Sequence, residues 1–184
     1  MRIRGLRAVG AFVAIIAGGL GPAGAASAAP SDNSVVQPAG IRGIPFVAIV
    51  EDRTGSCIDL PRGNNTPGTG AQQFRCNNDT NQSFLPLNLG NGFFLLQNRA
   101  NLLCLAATGD FLGSRIIQTG CATTGADPRQ WWQLRAVPQD PARLWLASGL
   151  ANKCAQLDPD TGQDGTPIDL GACAFDNRMF WHFV

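Results

Sequence analysis

Three times along the chain, a short apolar run is followed by a turn and then by a cysteine. The runs are Phe46-Val47-Ala48-Ile49-Val50, Phe93-Phe94-Leu95-Leu96 and Arg143-Leu144-Trp145-Leu146, and each begins eleven residues before its cysteine. Runs this short, bounded by turn residues, read as buried strands. The turns are Arg53-Thr54-Gly55, Arg99-Ala100-Asn101 and Leu150-Ala151-Asn152. Further on, an aromatic residue recurs at Phe84, Trp132 and Trp181, with spacings of 48 and 49.

A repeat of about 48 residues with two to four strands buries too little surface to stand alone, so three copies must share one core. Propellers usually need four blades or more. Three units close most naturally into an all-β, threefold β-trefoil with Phe84, Trp132 and Trp181 as matched core wedges. The repeats run at about 46–91, 92–142 and 143–184.

Cysteines 57, 76, 104, 121, 154 and 173 fall two to a repeat, with internal separations of 19, 17 and 19. Six cysteines allow fifteen pairings. The repeat selects one of them, Cys57–Cys76, Cys104–Cys121 and Cys154–Cys173. Zinc is the rival reading, but it favours close pairs of the C-x-x-C kind, and the sequence has none.

Ahead of the repeats, Met1 to Arg7 carries three arginines. Ala8 to Leu20 is free of charge, and Ala26-Ser27-Ala28 fits an A-x-A cleavage site. This order is that of a signal peptide over 1–28, implying secretion and an oxidising compartment. The thirteen uncharged residues fall short of the roughly 20 needed to span a bilayer, so no membrane span is expected. Residues 29–45 read as a flexible leader, which leaves no room for a catalytic domain within this sequence.

Composition narrows the function. Charged residues make up only 15% of the chain, Lys153 is the sole lysine and the net charge is +1. Loss of Arg2, Arg4 and Arg7 with the signal would take that to −2. With no basic cluster, nucleic acid is not an expected partner. His182 is the single histidine and is read as structural. Asp158 to Gly165 faintly resembles a calcium loop but departs from it at the fifth, sixth and twelfth positions, so a turn explains it better. No metal and no cofactor are expected.

Cys57-Ile58-Asp59-Leu60, Gln72-Gln73-Phe74-Arg75-Cys76 and Gln82-Ser83-Phe84 together resemble the ricin B-chain type of β-trefoil lectin, the family marked by a Q-x-W repeat. The resemblance implies a shallow sugar pocket on one repeat. It assigns Asp59 as the acceptor for vicinal hydroxyls and Phe74 as the plate for the apolar ring face. Asn81 meets a hydroxyl, Gln82 steadies Asp59, and Gln72 lines the floor. The chemistry stands on its own terms, because a pyranose needs a fixed acceptor, an amide and an aromatic surface.

Repeat two has Ala106 and Thr119 at the acceptor and plate positions. Repeat three has Gln156 and Gly171, with Met179 before its aromatic pair. One competent site is therefore expected, in repeat one, for a galactose-like or related sugar bound at near-millimolar strength. Asp59→Ala is expected to abolish binding and leave the melting temperature nearly unchanged. Trp131, next to a core Trp, is expected to point the opposite way, toward solvent or a partner. The expected function is that of a non-enzymatic, carbohydrate-binding secreted module. The alternative is a binding subunit of a protein complex, resembling the ricin-like subunits of cytolethal distending toxins.

Overall fold

The computed structural model describes residues 46–184 apart from Arg62, Gly63, Thr123 and Ala151. The expected signal peptide and leader lie outside the described residues. Repeat one contributes β1 (Ile49–Glu51), β2 (Ser56–Asp59), β3 (Gln72–Arg75) and β4 (Phe84–Gly90). Repeat two contributes β5 (Phe93–Asn98), β6 (Cys104–Ala107), β7 (Ile116–Thr119) and β8 (Trp132–Val137). Repeat three contributes β9 (Asp140–Ser148), β10 (Lys153–Leu157), β11 (Thr166–Ala172) and β12 (Trp181–Phe183).

The first and last strands of each repeat form a closed barrel. β1 pairs with β12, β8 with both β5 and β9, and β4 with β5. Single bridges at Val47–Phe84 and Trp145–Phe180 complete the ring. Closure removes exposed strand edges, which otherwise invite aggregation. The middle strands form three hairpins, β2–β3, β6–β7 and β10–β11, stapled by Cys57–Cys76, Cys104–Cys121 and Cys154–Cys173.

Each hairpin tip docks on the next repeat. Gly68, Gly113 and Gly165 donate their backbone N–H groups to the carbonyls of Gln118, Leu170 and Gln73 at 2.7–2.8 Å. All three glycines have φ between 80° and 92°, a region that a side chain disfavours. The acceptors sit three residues before the second cysteine of their repeats, so the contact obeys the threefold rule.

The core lies on the barrel axis. Phe84, Trp132 and Trp181 are 0–1% exposed and pack with Ile49, Leu96, Leu134 and Leu146. A buried indole needs an acceptor, and Trp132 and Trp181 donate to the carbonyls of Leu105 and Ala155, both at 3.0 Å. Phe84 takes the corresponding place in repeat one without a donor to satisfy. Phe94 joins this core, while Trp145 is half-buried and donates to the Ala174 carbonyl. His182 Nδ1 lies 2.6 Å from the Asp52 carboxylate, which ties β12 to the β1–β2 turn.

A short helical turn precedes each wedge, at Thr80–Gln82, Pro128–Gln130 and Asn177–Met179. In two of them a buried glutamine clamps the backbone around the second cysteine. Gln82 donates to the Arg75 carbonyl and accepts from Asn77 N–H; Gln130 donates to the Gly120 carbonyl and accepts from Ala122 N–H. Met179 forms no such clamp in repeat three. Among the described residues no helix is long and apolar enough to cross a membrane.

Candidate functional site

Asp59 ends β2 and Gln72 begins β3, and the hairpin register sets them opposite each other. Phe74 lies two residues beyond Gln72, so the period-two alternation of a strand puts both on one face. Cys57 pairs across from Phe74, and the Cys57–Cys76 bridge fixes the hairpin beneath them. Asp59, Pro61, Gln72 and Phe74 line a cavity of about 360 Å³. Phe74 and Gln72 are half-buried, whereas Asp59 is 3% exposed and forms the floor.

Three amides grip the Asp59 carboxylate. Gln72 Nε2 donates to Oδ1 at 2.9 Å, while Asn81 Nδ2 and Gln82 Nε2 donate to Oδ2 at 2.8 and 2.9 Å. A carboxylate offers about four lone-pair positions, so one remains for a hydroxyl from the cavity. Asn81 also donates to the Leu60 carbonyl at 2.7 Å, so both its amide hydrogens are engaged within the protein. Gln82, 1% exposed, acts on the cavity only through Asp59. The expected residues thus stand together in two layers, with Asp59, Gln72 and Phe74 on the cavity and Asn81 and Gln82 behind.

Repeat three braces β3 beside the cavity. Asp164 accepts from the Arg75 backbone N–H at 2.7 Å and from its Nε at 2.8 Å. These bonds hold the Asp164 carboxyl below its ordinary pKa and leave the Arg75 guanidinium 5.7 Å from the Phe74 ring centre. Pro61 and the Arg75–Asp164 pair escape sequence reasoning. Asp164 lies 89 residues from Arg75, and no local pattern links them.

This threefold barrel has known counterparts. Residues 41–119 match the family model described as ricin-type beta-trefoil lectin domain-like. Among solved structures, the designed threefold protein ThreeFoil superimposes with a TM-score of 0.70 at 18% identity, over 77% of this chain and 99% of the other. The fold is a β-trefoil. The Macrolepiota procera ricin B-like lectin, solved with lactose, matches this trefoil with a TM-score of 0.64 at 17% identity, over 75% of this chain and 93% of its own. The Haemophilus ducreyi cytolethal distending toxin matches with a TM-score of 0.60 at 14% identity, over 80% and 86%. No curated protein matches the chain.

The trefoil's other hairpins lack this arrangement. In repeat two, Ala106 is buried and brings no acceptor, and Thr119 brings no ring. Repeat three inverts the chemistry, with Gln156 on β10 opposite Asp169 on β11. A Cβ at Gly171 would stand 2.1 Å from Gln156 Oε1 and 2.5 Å from Met179 Cε, so these two side chains fill the space where a plate would stand. Burial raises the Asp169 carboxyl above its ordinary value, and its Oδ1 has no hydrogen-bond partner among the described residues. Among the described residues, no group of three or more His, Cys, Asp and Glu side chains is placed to hold a metal ion.

Proposed function

We propose that this trefoil is a secreted, non-enzymatic module that binds a galactose-like sugar in the repeat-one cavity. The observation that carries the reading is the pairing of a fixed acceptor with an aromatic surface, Asp59 held by three amides beside Phe74. A ring that sets two hydroxyls toward Asp59 and Gln72 turns its C–H face to Phe74. The cavity is shallow, and a few hydrogen bonds of about 1 kcal/mol net plus one ring contact give near-millimolar affinity. The lactose named with the Macrolepiota lectin supports a galactoside as the first probe. Secretion rests on the arginine-led N-terminal segment and agrees with three disulfides.

The test is retention on immobilised lactose, compared between wild type and Phe74→Ala. Weak retention of the wild type and its loss in the variant support the reading, and equal elution removes Phe74 from it. The likeness to the Haemophilus toxin favours a second reading, a docking subunit that accompanies a protein partner. A glycan array without signal, together with a stable co-purifying protein, is the outcome that reading expects.

A further inference from the structure

The barrel rim carries a second threefold set of positions, separate from the hairpin cavities. In each repeat the residue between the helical turn's last residue and the core wedge accepts a backbone hydrogen bond from a β-turn. Arg99 N–H donates to Ser83, Gly149 N–H to Trp131 and Asp52 N–H to Phe180, at 2.7–3.0 Å. Phe46, Phe93 and Arg143 are the threefold-related neighbours, each eleven residues before a first cysteine.

Two of the three positions are covered by charge. The Arg99 guanidinium lies 5.0 Å from the Phe46 ring centre, and that of Arg143 lies 4.8 Å from Phe180. The middle position differs. There two aromatic rings meet, Phe93 and Trp131, with centres 5.5 Å apart and planes at 47°. Gly149 makes this possible, because a Cβ on it would come within 2.5 Å of Trp131 Cβ and 3.3 Å of the Phe93 ring. The repeat thus gives up a side chain where its relatives carry Arg or Asp, and an open aromatic cleft results.

That cleft measures about 370 Å³ and is lined by Asn88, Leu89, Asn91, Phe93, Thr124 and Trp131, with Gly90 and Gly125. Its size falls within the range of small-molecule pockets. Among the described residues no ionisable side chain lines it, so nothing there repays the desolvation of a charged ligand. A purely apolar ligand would leave the amides of Asn88 and Asn91 unmet. Asn88 Oδ1 already accepts from Gly90 N–H at 2.8 Å, which leaves its amide hydrogens to donate. Flat C–H faces for the rings and hydroxyls for the amides describe a neutral sugar.

We propose that the cleft between Phe93 and Trp131 is a second binding site, for an uncharged saccharide ring. It shares no lining residue with the repeat-one cavity, so either site can fail without the other. Nitrogen-15 NMR separates them. Trp132, Trp145 and Trp181 each donate to a carbonyl, whereas Trp131 Nε1–H meets no acceptor among the described residues. Its indole signal and the Asn88 and Asn91 side-chain amides report on the cleft, while the Gln72 amide reports on repeat one.

Lactose and cellobiose are titrated to about ten times a millimolar Kd, with glucuronate as the charged control. The expected result is that at least one disaccharide shifts the Trp131, Asn88 and Asn91 signals in wild type and in Phe74→Ala. Thr124→Arg, a change at an exposed loop residue, should block the cleft and weaken that response at least tenfold without altering the fold. Phe93→Ala gives the same loss by removing a wall. The proposal is overturned if neither disaccharide moves those signals, if glucuronate moves them as strongly, or if the response survives Thr124→Arg. Shifts confined to Gln72 overturn it and leave repeat one standing.

Discussion

Gln82 holds Asp59 and the second cysteine's neighbourhood with one amide group. Its Nε2 reaches the Asp59 carboxylate at 2.9 Å and the Arg75 carbonyl at 3.0 Å, and its Oε1 accepts from Asn77 N–H at 2.9 Å. The glutamine of the Q-x-W pattern is therefore a strut for the fold that also positions an acceptor.

Replacing the strut separates these roles. Gln130→Met removes bonds to the half-buried Ala122 N–H and the exposed Gly120 carbonyl, with no carboxylate among its partners. A stability loss of about 1 kcal/mol is expected, with sugar retention unchanged. Gln82→Met should lose stability by a similar amount and sugar retention as well. Chemical denaturation run beside affinity chromatography checks both, and equal retention by the two variants would detach Gln82 from Asp59.

Asp59→Ala is expected to cost stability as well as binding. A nearly unchanged melting temperature is what the sequence alone suggests, but Asp59 is 3% exposed and accepts from three side chains. Removing it strands three amide donors, and a loss of about 2 kcal/mol or more follows. Asp59→Asn keeps the volume and should lose less. Urea midpoints for the two variants test this, and an unchanged midpoint in the alanine variant contradicts the three-amide grip.

Phe74→Ala leaves that grip intact. Phe74 is only half-buried, so its loss should weaken sugar binding about tenfold with a small change in melting temperature. It is the cleaner probe of the cavity, and calorimetric titration with lactose measures it.

Asp169 makes stability depend on pH in a defined direction. Burial is the main cause of its raised pKa, and Asp158 adds to it; Gln156 and Arg115 oppose it. A carboxyl whose folded pKa lies above its unfolded value favours the fold while protonated. That contribution is full below the ordinary value of 3.8 and is lost as pH rises through the folded pKa. Asp169→Asn should therefore raise the melting temperature at pH 7 and change it little near pH 3. A gain that is equal at both pH values would place its cause elsewhere.

The threefold plan was legible because it is written in residues that physics constrains tightly. Cysteines must meet in pairs, and Phe84, Trp132 and Trp181 must share one axis. The hairpin site was legible for a related reason, since Asp59, Phe74 and Gln82 keep fixed offsets from the two cysteines of repeat one. What escaped depends on chain distance or on the absence of a side chain. Asp164 reaches Arg75 from another repeat, and Gly149 leaves the room that lets Trp131 turn against Phe93. Trp131 was expected to point away from the core, toward solvent or a partner, and it lies half-buried against Phe93 on the open cleft. Gln156 gave no sign that it would lie across Gly171, because the rotamer follows from Met179 and the hairpin together.

The most direct test of a sugar-binding repeat one is a side-chain NMR titration of the disulfide-bonded domain with lactose. The account predicts saturable movement of the Gln72 and Asn81 amides and the Phe74 ring, with a Kd near 1 mM that rises about tenfold in Phe74→Ala. Silence of all three groups at saturating lactose, galactose and N-acetylgalactosamine contradicts it.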